Sequence, residues 1–232
     1  MSAQKSFVLV GGSYGIGASL AGILLKQGYD VTVLSRSKPE HAAVQHVSFD
    51  AAKGSINLTQ VPETIHGLAY LPGTIALKPF HRFTDDEFLA DFKLNTLGAA
   101  RVVRELLPRL KAASQSSVVL FSTVAVQQGM PFHASVAMAK GALEGLTRSL
   151  AAELAPKIRV NAIAPSITDT PLAAKILSSD EKKKASGDRH PLKRVGNPVD
   201  IAQAAAWLLS DQSSWVSGQI IPVDGGMSTL RV

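Results

Sequence analysis

The sequence predicts an α/β fold, a doubly wound parallel sheet in a single domain with helices on both faces. Three observations predict it. Short apolar runs of strand length alternate with amphipathic stretches of helical period along the whole chain. The first apolar run leads directly into a glycine turn, a helix and a second strand. No repeat, low-complexity tract or linker divides the 232 residues, a length that suits one large α/β domain spanning 1–232.

Phe7 to Val10 (FVLV) reads as a buried strand, and Gly11, Gly12, Ser13, Tyr14, Gly15, Ile16 and Gly17 follow at once. An apolar helix from Ala18 to Leu25 comes next, then Gly28 and a strand from Val31 to Leu34. In that setting Gly11 permits a tight turn. Gly15 and Gly17 let backbone N–H groups and a helix N-terminus approach a pyrophosphate. A βα turn with no ligand is the plainer alternative. The second strand ends Leu34-Ser35-Arg36-Ser37. A site selecting NAD would carry a carboxylate there, whereas the Arg36 fork suits the 2′-phosphate of NADP, so Arg36 and Ser37 point to NADP(H) over NAD(H). An arginine that merely faces solvent is the other reading.

A third strand is expected over Val44 to Phe49, ending at Asp50, with a short helix inside Lys53 to His66. Gly67 to Leu71 reads as a fourth strand, broken by Pro72-Gly73. Asp85 to Leu110 reads as one long helix, with Thr84 as N-cap and Asp85, Asp86 and Glu87 in the turn where the helix dipole favours negative charge. Asn95 lies inside it among Leu94, Leu97 and Ala99, where an amide needs hydrogen-bond partners.

Val118 to Phe121 is the central strand, followed by the hydroxyls of Ser122 and Thr123. After a loop, small and apolar residues recur at helical spacing from Ala134 until Pro156, which cannot continue a helix. One cation, Lys140, sits on a face otherwise made of Ala, Val and Met. An ammonium there costs free energy unless a partner or ligand satisfies it, so Lys140 is the first residue to suspect. A sixth strand (Ile158 to Ile163), a loop from Ala164 to Pro171, a polar lid over 173–198, a helix from Pro198 to Leu209 and a last strand (Gln219 to Val223) complete the alternation. Ligands are expected at the carboxyl ends of the strands.

Composition narrows the function. Apolar residues at 46% against 18% charged describe a compact globular chain. The absence of cysteine excludes disulfides, thiolate nucleophiles and cysteine-ligated metals, and no metal centre is expected. Much of the net charge of +6 lies in Glu181 to Arg194 (EKKKASGDRHPLKR), for which a solvated loop is the plain reading. No zinc-finger spacing or aromatic RNA-binding motif accompanies it, so nucleic acid is not an expected partner. The apolar run near the start is too short for a signal peptide or membrane span, and a soluble cytoplasmic protein is expected.

GGSYGIG at 11–17, Asp50, Asn95 in LNTLG, Lys140 in AMAKGALEGLTRSLAAELAP, RVNAIAPS with its trailing TDTP, and SGQIIPVDGGM occur in that order. In this order and spacing they resemble the short-chain dehydrogenase/reductase family over essentially the whole chain. The resemblance implies a Rossmann-type fold of seven parallel strands, a nicotinamide cofactor, and a homodimer or homotetramer. It implies hydride transfer on a small-molecule carbonyl or alcohol or, in some branches, an enoyl group; the basic lid suggests an acyl or carrier-linked one. By the same resemblance Asp50 touches the adenine, Thr168 and Thr170 the nicotinamide end, and Leu71, Pro72, Gly73 and Pro165 join the cofactor set. Lys140 holds the nicotinamide ribose, and Asn95 keeps a water in a proton relay.

The chain departs from that pattern at telling places. Val136 stands four residues before Lys140, where the family has its catalytic tyrosine, and Thr123 stands at the family's serine. Tyr70-Leu71-Pro72-Gly73 replaces Asn-Asn-Ala-Gly. Threonine keeps a hydroxyl, but valine has no proton to give or take. His133 lies seven residues before Lys140, the offset at which bacterial enoyl-acyl-carrier reductases place their tyrosine, and imidazole titrates near neutral pH. A histidine that caps the helix or faces solvent is the plainer alternative. The candidate catalytic set is Asn95, Thr123, Lys140 and His133. Two functions stay open: an NADP(H)-dependent oxidoreductase, or a degenerate dinucleotide binder serving as sensor, regulator or scaffold.

Overall fold

A computed structural model describes residues 4–231. Its seven strands are β1 (Ser6–Val10), β2 (Asp30–Ser35), β3 (Gln45–Ser48), β4 (Gly67–Tyr70), β5 (Ser116–Phe121), β6 (Ile158–Pro165) and β7 (Ile220–Val223). All pairings are parallel, in the order β3-β2-β1-β4-β5-β6-β7. The winding reverses between β1 and β4, which leaves a crevice beyond their carboxyl ends.

Helices cover both faces, so the inner strands are continuous apolar runs without a polar side. On one face α1 (Gly15–Lys26) and α6 (Pro198–Leu209) bring Leu20, Leu24, Ile201 and Leu209 against Phe7, Leu9, Val33 and Val119. On the other, α3 (Gly98–Ala112) and α4 (Ala134–Leu154) bring Val102, Leu106, Leu143 and Leu154 against Val8, Val10, Leu34 and Val118. Successive residues of β1 thus enter opposite layers, as the two-residue period of a strand requires.

The structure corrects the sequence-based expectation in three places. Residues 53–66 hold no helix beyond a 3₁₀ turn, Leu58–Gln60, started by Asn57 accepting from Thr59 N. Gly54 and Pro62 bracket that stretch, and both shorten helices. The expected helix over 85–110 is α2 (Asp85–Phe92), a π-turn over Lys93–Leu97, and then α3. Thr84 does cap it, in a reciprocal capping box with Glu87. The 173–198 stretch, read only as a polar lid, contains α5 (Asp180–Asp188), begun by Ser179 accepting from Lys182 N.

Candidate active site

Beyond the ends of β1, β4, β5 and β6 lies a cleft of about 660 Å³. Its wall includes Gly11, Ser13, Tyr14, Gly15, Ile16, Gly17, Arg36, Ser37, Asp50, Leu71, Pro72, Gly73, Thr123, His133, Lys140, Pro165, Thr168 and Thr170. Asn95 is the exception among the candidates: it is fully buried behind Gly73.

One end of the cleft is built from backbone. Gly11 (φ 85°) and Gly15 (φ 57°) occupy the left-handed region that side-chain-bearing residues avoid. A Cβ on Gly17 would stand 2.3 Å from Gly11 O, so the turn closes only around glycine. Tyr14 begins α1 in extended conformation and its side chain makes no cap bond. The first-turn N–H groups therefore meet the cleft uncapped, with the positive end of the helix dipole behind them. Ser13 and Ser35 both donate to Ser37 O, at 2.6 and 2.8 Å, which fixes the loop carrying Arg36. Arg36 is exposed and has no hydrogen-bond or ion-pair partner among the described residues. Asp50 Oδ1 accepts from Ala52 N at 2.9 Å. The loop after β6 folds over the glycine turn: a Cβ on Gly15 would touch Thr170 Cγ2 at 3.3 Å. Thr168 and Thr170 are braced by bonds to Ser166 O and Thr168 O.

The other end is organised by α4. Lys140 is 6% exposed, and its Nζ donates to Phe121 O at 2.6 Å. Burial pushes its ammonium down to about 8, against the opposing pull of the Asp91 charge. Val136, one helical turn earlier, presents an apolar side chain to the same cleft. Thr123 follows β5, and its hydroxyl accepts from Ala125 N at 3.3 Å. His133 is the N-cap of α4: its carbonyl accepts from Ala137 N at 2.8 Å, while its side chain makes no cap bond. Its Nδ1 lies 2.7 Å from Pro131 O; a carbonyl only accepts, so Nδ1 carries the proton and Nε2 is the basic nitrogen. The residue before it, Phe132, has φ 69°, a strained conformation for a bulky side chain.

Behind Lys140 lies a buried polar cluster in which the sequence pointed to Asn95 but not to Asp91 or Thr74. Asp91, 5% exposed, accepts from Thr74 Oγ1 at 2.7 Å and from Ser135 Oγ. Asn95 Nδ2 donates to Thr74 Oγ1 and to Asp91 O, both at 2.9 Å, while Asn95 Oδ1 is buried with no partner. A Cβ on Gly73 would sit 3.3 Å from Asn95 Oδ1 and 3.5 Å from Lys140 Nζ, so both polar groups converge on the bare face of that glycine. One signal for Asp91 was legible: it precedes Asn95 by four residues and so shares its helix face. Glu144, one turn past Lys140, is also buried and accepts from Ser122 Oγ at 2.8 Å and Gln127 Nε2 at 3.2 Å. Tyr70 is a core residue whose hydroxyl donates to Leu94 O at 2.6 Å, and burial pushes its phenol well above the usual range.

A turn that only glycine can make, an uncapped helix N-terminus, an unpartnered arginine and an orphaned carbonyl oxygen beside an ammonium fit one kind of group. Pyrophosphate, phosphate and ribose hydroxyls of a dinucleotide complement each in turn. Among the described residues no cluster of three His, Asp or Glu is placed to hold a metal, and no helix is long and apolar enough to cross a membrane.

Known proteins resemble this chain over most of its length. The family model described as Enoyl-(Acyl carrier protein) reductase matches residues 57–228. The 2-(S)-hydroxypropyl-CoM dehydrogenase 3 of Xanthobacter autotrophicus is 30% identical, over 98% of each chain. L-xylulose reductase of Bos taurus is 31% identical over 97% of this chain and 96% of its own. Among solved structures, the ligand-free aldohexose dehydrogenase of Thermoplasma acidophilum superposes with a TM-score of 0.89 at 27% identity, covering 98% of this chain and 95% of that one. The chain belongs to the short-chain dehydrogenase/reductase family of oxidoreductases, which use nicotinamide dinucleotides.

Proposed function

We propose that the chain is an NADP(H)-dependent oxidoreductase acting on the carbonyl, alcohol or enoyl group of a small molecule. The observation that carries this reading is the buried Lys140 ammonium, held at the cleft beside the unpartnered Asn95 Oδ1. Burying both groups is unfavourable unless a ligand or water satisfies them. When bound, the nicotinamide supplies or accepts the hydride. The chain's own residues do the rest. The glycine turn Gly11–Gly17 and the α1 N-terminus bind pyrophosphate, and Arg36 with Ser37 takes the 2′-phosphate. Asp50, with Leu71 to Gly73, receives the adenine side. Pro165, Thr168 and Thr170 receive the nicotinamide side. Lys140 holds ribose hydroxyls, Asn95 orders a water beside it, and Thr123 offers its hydroxyl to the substrate oxygen. His133, which lines the cleft, is the sequence's candidate for proton transfer there.

Residues 173–198, with α5, are the lid of this reading, and their basic side chains favour an acyl or carrier-linked substrate. Family membership supports a homodimer or homotetramer, and the cysteine-free composition supports a cytoplasmic setting. A second reading, a dinucleotide-binding sensor or scaffold without turnover, is favoured by Val136, an apolar side chain where a proton donor is expected. NADPH oxidation measured over ketone and enoyl panels, for wild type, Val136→Tyr and His133→Ala, tests the choice. Turnover by wild type supports the enzyme. Tight NADPH binding with no turnover by any variant supports the sensor. Unchanged turnover in His133→Ala removes the histidine from the mechanism.

A further inference from the structure

We propose that Ser166 and His190 form a proton-transfer pair in the cleft, supplying the proton that accompanies hydride transfer. This deepens the oxidoreductase reading and rests on it. Ser166 directly follows β6 and shares the cleft wall with Thr123, Val136 and Lys140. His190 also reaches the cleft wall, yet it is only 2% exposed.

Two hydrogen bonds fix the imidazole. Nδ1 lies 2.8 Å from Ser186 O, and Nε2 lies 2.8 Å from Ser166 Oγ. A carbonyl only accepts, so Nδ1 carries a proton in every state of the ring. Nε2 therefore accepts from the Ser166 hydroxyl when the ring is neutral and donates to it when the ring is charged. The other contact of Ser166 Oγ is Met227 Sδ at 3.2 Å, a weak acceptor that leaves the hydroxyl free to turn toward a substrate.

Charged groups lie around the ring. Asp224, after β7, lies within reach of the ring's charge: burial lifts that carboxyl, and bonds from Ser228 and Gly226 with the His190 charge outweigh the lift. On the ring's own segment, Arg189 is exposed and adjacent, and the Lys193 ammonium is turned away onto Asp188 O at 3.1 Å. Ser166, from the loop after β6, carries no charge.

In reduction the substrate carbonyl carbon takes the hydride, and the C=O π pair moves onto oxygen. That oxygen takes the Ser166 proton as Ser166 Oγ takes the Nε2 proton of the imidazolium. The reduced dinucleotide is oxidised, and a neutral imidazole is left for solvent to reprotonate. Alcohol oxidation runs the same transfers in reverse. The pair does not need a phenol at position 136.

The test compares wild type, Ser166→Ala, Ser166→Thr and His190→Gln in NADPH-dependent turnover across pH 5–9, with NADPH affinity measured separately. Histidine nitrogen NMR of the protein without nucleotide reports the ring itself. Ser166→Ala should lose about 10²–10⁴-fold in kcat, and Ser166→Thr should restore most of it. His190→Gln should remove one limb of the pH profile, while NADPH affinity stays within about twofold of wild type in all variants. NMR should show Nδ1 protonated at every pH and an Nε2 signal displaced by Ser166→Ala. If wild type turns over but Ser166→Ala keeps its rate and pH limb, the pair is overturned and the oxidoreductase reading stands. If wild type binds NADPH but reduces nothing, both fall together.

Discussion

Lys140 Nζ donates to the Phe121 carbonyl at 2.6 Å, so the long helix α4 and the central strand β5 hold one ammonium at the mouth of the sheet. The contact uses one of three protons and leaves two for a ligand. Its position, with Asn95 Oδ1 facing the same glycine, makes this cleft end polar inside an apolar frame.

The ammonium should be visible in pH dependence. Its folded value, about 8, lies below its ordinary 10.5, so between those values the folded chain binds fewer protons than the unfolded one. Stability then rises with pH across that window, and the penalty of burying the charge, roughly 3 kcal/mol, is fully present below pH 8. Urea denaturation of wild type should show that rise. Lys140→Met should flatten it and be at least as stable at pH 7. NADPH affinity should fall in wild type as pH passes 8 and stay flat in Lys140→Met.

Arg36 sets cofactor choice if it binds the 2′-phosphate. Charge-assisted bonds of that kind are worth about 1.5–3 kcal/mol, or about 10- to 150-fold. Arg36→Ala should weaken NADPH by that factor and leave NADH unchanged, as measured by fluorescence titration. Equal loss for both nucleotides would remove Arg36 from the choice.

Gly73 is bare so that two polar groups can meet over it. Its φ lies outside the left-handed region, so Gly73→Ala should fold without backbone strain. The added methyl would stand 3.3 Å from Asn95 Oδ1 and 3.5 Å from Lys140 Nζ. Thermal unfolding should shift little, while dinucleotide affinity drops tenfold or more.

Asp91 is both hub and counter-charge. Asp91→Ala leaves the Thr74 and Ser135 hydroxyls without their acceptor in the interior and should destabilise by about 1–3 kcal/mol. Asp91→Asn keeps an acceptor but removes the charge that opposes the fall of Lys140, so the pH limb of NADPH binding should move below 8. An unmoved limb would separate the two residues.

The architecture was legible because inner strands buried on both faces leave unmistakable apolar runs, as at Phe7–Val10 and Val118–Phe121. The π-turn over 93–97 was not, since helical spacing runs through it and only the register changes. Lys140 stood out as a cation on an apolar face. Asp91 did not stand out by itself: in DDEFLAD it reads as one more surface carboxylate, and only its four-residue spacing to Asn95 points inward. Ser166 and His190 lie 24 residues apart, and only the tertiary fold places them 2.8 Å from each other.

The most direct measurement is a fluorescence titration of NADPH into the purified chain, run beside Lys140→Met at pH 7. Saturable binding by wild type, weakened at least tenfold in the variant, is the predicted result. No binding by wild type, or equal affinity in both, would contradict a cleft built around that ammonium.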